Sequence, residues 1–271
     1  MINELARKRD LARALFERRL RLAREDVAAF VELCVRDQVG NRLTVEPFQR
    51  QWILHVDYCW KRNLRAIVLA PWSFGKTSTL SIPILAWSIG RNPHVRIKII
   101  SNDLGNAMKR ATAVKKIIES PLYQMVFPHV RPGAKWGEQE FTVARAGNAV
   151  DPTLQARGVF ATGIGGRADI ELYDDVVDLT NSKNPGPREN VMEQVEQTWL
   201  SRLEPNGKVL WVATLWHKAD ATSRLMDRPG WCTLQHAITD DCDGIDQQLF
   251  GAGDLSEYPL APGTAFVAPA A

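Results

Sequence analysis

The chain has 271 residues, of which 24% are charged and 45% hydrophobic, and its formal net charge is +3. These values are ordinary for a folded globular protein and exclude a disordered or collagen-like chain. No apolar run is as long as a membrane span, and a charge this small neither demands nor forbids a polyanionic partner. Cys34, Cys59, Cys232 and Cys242 show no metal-type spacing and read as free thiols of a reducing compartment. The N-terminus is Arg-rich, but Glu4, Asp10, Glu17, Glu25 and Asp26 exclude a mitochondrial transit peptide.

Residues 3–36 read as one or two helices. Leu5, Leu11, Leu15 and Leu20 lie among many arginines and several acids, the pattern of a solvated helix face with i,i+4 pairs. A DNA- or partner-binding arm is the sharper alternative. Pro47 opens a further helix.

The apolar run Ala66-Ile67-Val68-Leu69 predicts a buried strand. It leads into Ala70-Pro71-Trp72-Ser73-Phe74-Gly75-Lys76-Thr77 and then a helix over 78–88, in which Pro83 predicts a kink or an early end. Strand, loop ending Gly-Lys-Thr, and helix is the layout of a phosphate-binding P-loop. Backbone N–H groups at the loop and helix start, Ser78 included, would face phosphates. Gly75 allows close approach, Lys76 supplies a cation, and the Thr77 hydroxyl is a ligand for Mg²⁺. The loop departs from the usual pattern in opening with Ala70 rather than Gly.

A strand is expected over 95–100, closed by Ser101-Asn102-Asp103, which caps a helix over 104–119. Short strands are expected at 141–143 and 159–161, around a Gly-rich connection at 163–166. Ile170–Tyr173 is the next strand, ending in Asp174-Asp175; residues 189–202 read as helix and 209–213 as a strongly apolar strand. Alternation of strands and helices predicts an α/β fold with a mostly parallel sheet and helices on both faces. In such sheets ligands bind at the carboxyl ends of strands. The P-loop, Ser101-Asn102, Asp174-Asp175 and Thr214 all lie there. Asp174 is placed to hold Mg²⁺ and Asp175 to activate or position water, while a structural or coupling role is favoured for His217. Residues 238–271 lose periodicity and read as an irregular tail.

The ordered set resembles the large terminase subunit of tailed bacteriophages, the motor that packages viral DNA. The stretches that carry it are Glu46–Gln49, Ala70–Thr77, Ile99–Asp103, Gly163–Asp169 leading into Asp174-Asp175, and Leu200–Lys208 running to Thr214-Leu215-Trp216-His217-Lys218-Ala219-Asp220. Together they cover about residues 45–237, the ATPase half. The resemblance implies a P-loop NTPase domain over 46–237 behind an N-terminal helical segment, 1–45, with ATP and Mg²⁺ as cofactors. Phe48 and Gln49 match an adenine-recognition motif, and Thr214 a coupling motif. Implied partners are double-stranded DNA, a portal protein, a small terminase subunit and further copies in a ring, in the host cytoplasm and transiently on the procapsid.

The related loop often carries Arg where this chain has Trp72, so the charge-stabilising arginine is sought in Arg167 or Arg202, in cis or from a neighbouring subunit. The family usually continues into an RNase H-type nuclease. Only Asp240, Asp241, Asp243, Asp246 and Asp254 follow here, so no nuclease activity is expected of this chain. A helicase-like ATPase and a nucleotide-binding, non-catalytic portal-docking homologue are the alternatives.

Overall fold

The computed structural model describes residues 2–147, 150–162, 165–236 and 264–267. Two helices open the chain, α1 (Ile2–Glu25) and α2 (Val27–Cys34), parted at Asp26, whose carboxylate caps α2 by accepting the Ala29 N–H at 2.6 Å. Most of α1 is solvated, as its mixed charge predicts, and Leu5, Leu11 and Leu15 are exposed. Its last turn docks through Arg24, which donates to the Val126 carbonyl at 2.7 Å. By contrast α2 is buried and shares the main core with the central sheet.

Helix α3 (Pro47–Lys61) starts with a reciprocal cap between Glu46 and Gln49, with Pro47 supplying a helical φ at no cost in hydrogen bonds. Strand β1 (Arg65–Leu69) follows, then the loop over 70–75. A π-helical turn over Lys76–Ser81 leads into α4 (Ile82–Arg91). The helix therefore runs past Pro83 rather than ending there. In the wide turn the Ile82 N–H bonds to the Thr77 carbonyl, and this unwinding accommodates a proline ring that a regular α-turn would reject.

β2 (Ile97–Ser101) and α5 (Leu104–Glu119) match expectation, and Asp103 caps α5 through the Asn106 N–H at 2.8 Å. Then come α6 (Pro121–Val126), β3 (Pro132–Trp136), β4 (Glu140–Val143) and β5 (Leu154–Gly158). The strand expected at 159–161 lies earlier, at 154–158, and 159–161 turns away, with the Ala161 N–H bonded to the Gly158 carbonyl. β6 (Ala168–Asp174), α7 (Leu179–Ser182), α8 (Pro185–Glu193), β7 (Leu203–Ala213), α9 (Ala221–Met226) and β8 (Trp231–His236) complete the domain. Between α8 and β7 the helix continues as a π-turn over 194–199 and a short 3₁₀ turn over 200–202. Most of the irregular tail foreseen over 238–271 lies outside the described residues, as do Gly163 and Ile164. Where described it is corrected: β9 (Thr264–Val267) pairs antiparallel with β8.

The described strands form one sheet in the order β3-β4-β5-β2-β6-β7-β1-β8-β9, parallel from β5 to β8 and antiparallel at both edges. Both faces are covered. Along β1, Ala66 and Val68 join a core with α2 to α5, while Ile67 and Leu69 join a second core built on Trp199, Trp211 and Trp231. That is why the strand is continuously apolar instead of alternating.

Candidate functional site

The sheet order decides the site. β2, β6, β7 and β1 are consecutive neighbours, so the loops at their carboxyl ends abut. The ladder extends past the strands: the Ala70 N–H bonds to Ala213 O, Asp175 N–H to Val212 O at 3.1 Å, and Asn102 N–H to Asp175 O at 3.3 Å. Backbone bonding thus fixes the spacing between the loop 70–77, Thr214, Asp174-Asp175 and Ser101-Asn102.

The loop is bent by two left-handed residues, Ser73 (φ 65°) and Gly75 (φ 82°). At Gly75 the left-handed backbone strains any side chain, and an added Cβ, 2.9 Å from Gln49 Nε2, would also displace the end of that side chain. Lys76 is buried beside it. Its ammonium donates to the carbonyls of Ala70 and Pro71 and, at 3.0 Å, to Thr214 Oγ1. Burial lowers its pKa, and the charges of Asp175 and Asp174 oppose that shift. Thr214 in turn donates to Ala70 O at 3.2 Å. Ser78 donates to the Gly75 carbonyl.

Asp174 is fully buried at the end of β6. One carboxylate oxygen accepts from Ser81 Oγ at 2.8 Å, and the other faces Thr77 Oγ1 at 3.5 Å. Asp175 has φ 51°, a strained backbone that in non-glycine residues gathers at functional positions. Its pKa is raised by partial burial and then by the adjacent Asp174 charge, against the pull of Arg110 and Lys76. Sequence reasoning missed Arg110, on α5. Its guanidinium bonds Asp174 through Nε and lies 3.4 Å from Asp175 through Nη2. Nothing in the sequence alone gives the pairing of β2 beside β6 that brings α5 over these acids.

The remaining expected residues are placed as follows. Phe48 packs at ring-centroid distances of 5.3 Å from Trp52, 5.7 Å from Phe74 and 5.1 Å from His236. Gln49 donates to the Phe74 carbonyl at 2.9 Å and accepts from the Glu46 N–H at 3.1 Å, so it ties α3 to the loop over 70–75. Trp72 is exposed and meets the Trp216 ring at 5.2 Å. His217 is held in a turn organised by buried Asp220, and its Nδ1 accepts the Ala219 N–H at 3.0 Å, which agrees with a structural role.

Arg167 and Arg202 require a correction only as residues acting in cis. They lie at the amino ends of β6 and β7, opposite the site, and Arg167 pairs with Glu204. Seven strand residues at about 3.3 Å each put on the order of 20 Å between Arg167 and Asp174. Neither serves the carboxylates of its own chain. His55, Cys59 and Cys232 also converge, with ligand-type atoms within 4.8 Å of one another, a grouping that chain spacing conceals. There Cys232 O lies 3.1 Å from His55 Nε2, and burial pushes the imidazole pKa down to about 4.

No protein-family model matches the chain. The large terminase subunit of Enterobacteria phage T3 is 27% identical over 174 residues, which cover 64% of this chain and 29% of that protein. The crystal structure of the HK97 bacteriophage large terminase matches with a TM-score of 0.54 at 17% identity, over 74% of this chain and 40% of that one. The chain therefore spans less than half the length of either. In sequence and in fold it is similar to bacteriophage large terminase subunits, as its motifs imply. No helix among the described residues is long and apolar enough to cross a membrane.

Proposed function

We propose that this relative of the large terminase subunits is the ATP-hydrolysing motor part of a DNA-packaging machine, acting on double-stranded DNA. One observation carries the reading: Lys76, Thr77, Thr214, Asp174 and Asp175 converge at the ends of three adjacent strands, β6, β7 and β1. In this reading the loop N–H groups and Lys76 bind the phosphates, Lys76 exchanging its carbonyl partners for them. The hydroxyl and carboxylate oxygens of Thr77 and Asp174 are a hard donor set that fits Mg²⁺. When bound, Mg²⁺ neutralises phosphate charge. Asp175, its pKa raised toward the working range of a general base, orients the attacking water and accepts its proton. Phe48, whose ring packs on Phe74 of the loop, is assigned to the base end of the nucleotide. Gln49 reaches the base only by giving up its bonds to Phe74 and Glu46, so we assign it first to holding the loop. Arg167 and Arg202 are assigned to a neighbouring copy's site in an assembled ring. Portal protein and a small terminase subunit are the further partners, met in the host cytoplasm and on the procapsid.

Phosphate release from ATP, with and without double-stranded DNA, tests this. Wild type should turn over and be stimulated by DNA, with stimulation falling steeply as salt rises because phosphate contacts dominate. Lys76→Ala and Asp175→Asn should each abolish release. Nucleotide binding without release, DNA and partners present, would replace the motor with a non-catalytic docking protein.

A further inference from the structure

The loop after β1 carries no arginine, and Arg167 and Arg202 sit at the far end of the sheet. Arg110 is the guanidinium that the fold delivers to the two acids. Its side chain is 14% exposed, against 1% for Asp174 and 45% for Asp175. Asp174 thus has its oxygens committed to Arg110, Ser81 and Thr77. A divalent cation held by Asp174 needs the same lone pairs and would stand against a guanidinium of like sign.

We propose that Arg110 is a latch on the carboxylate pair: it competes with the divalent cation for Asp174 and must slide off it, toward half-exposed Asp175, before the cation can be held. This rests on the functional reading above. The path exists without moving α5, because Arg110 already reaches both acids and is anchored on its own helix by Nη1 bonding the Asn106 carbonyl at 3.1 Å. The first turn of α5 is in turn tied to the loop after β6: Asn106 bonds Asn102 at 3.0 Å, and Asn102 bonds Asp178 at 2.9 Å. Cation loading at Asp174 is then coupled to the position of Arg110 beside Asp175, the group proposed to handle the water. Arg110 is a positioning residue in this scheme.

The test compares wild type, Arg110→Met, Arg110→Lys and the double variant Arg110→Met/Asp174→Asn. Two readouts are thermal unfolding against Mg²⁺ with no nucleotide added, and the half-saturating Mg²⁺ for ATP binding. Arg110→Met leaves two acids without their partner, so it should unfold earlier and be restored by Mg²⁺ but not by NaCl of equal ionic strength. The double variant should lose that restoration. Half-saturating Mg²⁺ should fall about tenfold in Arg110→Met, the effect of one charge-assisted hydrogen bond, and stay near wild type in Arg110→Lys. Restoration by either salt alike, or an unchanged half-saturating Mg²⁺, overturns the latch while leaving the ATPase reading intact. Mg²⁺-specific restoration in a protein that binds no ATP would keep the latch as a cation-site device and overturn that reading instead.

Discussion

Glu171 offers a test of the fold's electrostatics that needs no ligand. It lies within β6 with no exposure, and burial raises its carboxyl pKa to about 7, although the Tyr173 hydroxyl donates to it at 2.7 Å and Lys98 and Arg65 pull the other way. An unfolded glutamate titrates near 4.3. The folded state holds the proton more tightly, so this contribution is whole below about pH 4 and is lost as pH rises through about 7. At about 1.4 kcal/mol per pH unit, the full loss is roughly 3–4 kcal/mol, of which about 2–3 falls between pH 5 and 8. For a domain of this size that is roughly 5–10 °C in Tm. Glu171→Gln keeps an oxygen for the Tyr173 hydroxyl and cannot ionise. The gap in Tm between the variant and wild type should therefore grow by that amount from pH 5 to pH 8, measured by circular dichroism melts. A gap that is constant with pH would refute the reasoning.

Two further substitutions probe the loop and the segment after β7. Gly75→Ala should cost about 1–2 kcal/mol in urea unfolding, from the left-handed backbone and the approach of Gln49, and should weaken nucleotide binding because the loop is re-aimed. Asp220→Ala removes the acceptor for the N–H groups of His217 at 3.1 Å and Ser223 at 2.8 Å, and should cost about 2–4 kcal/mol, with Asp220→Asn recovering most of it.

The elements that shape the site were legible where one local signal decided them. Asp103 as the cap of α5, Pro47 at the start of α3, and the doubly buried strands β1 and β6 follow from residue type and spacing. The misplaced strand near 159 arose because Val159 and Ala161 look strand-like, whereas Leu154 to Gly158 mixes Gln155 and Arg157 into a strand near the sheet edge. Arg110 was invisible for a deeper reason. Its partners are 64 and 65 residues away, and only the non-sequential strand order joins them. Arg167 is kept from the acids of its own chain for a simpler reason: proximity to Asp174 in the chain is distance in space when a whole strand intervenes.

The contacts of Lys76 suggest how chemistry at the loop would reach the rest of the molecule. One ammonium holds the Ala70 and Pro71 carbonyls and Thr214, while Thr214 holds Ala70 independently. If phosphates draw Lys76 away, as proposed, the end of β7 keeps its two direct bonds to the loop's first residue, from the Ala70 N–H to Ala213 O and from Thr214 Oγ1 to Ala70 O, and loses the bridge through the ammonium. The next residues, 215–220, are braced by Asp220 against α9, and Trp216 leans on Trp72 of the loop itself. A change of partner at one nitrogen therefore reaches this short, otherwise well-bonded segment at its start, through Thr214, and at Trp216, through the loop. In the proposed motor this segment would serve as the coupling element, since it is also held at its far end by Asp220. Trp72 in place of a charged residue fits this scheme: its ring supplies packing to the segment, and the positive charge at the acids comes from α5 instead.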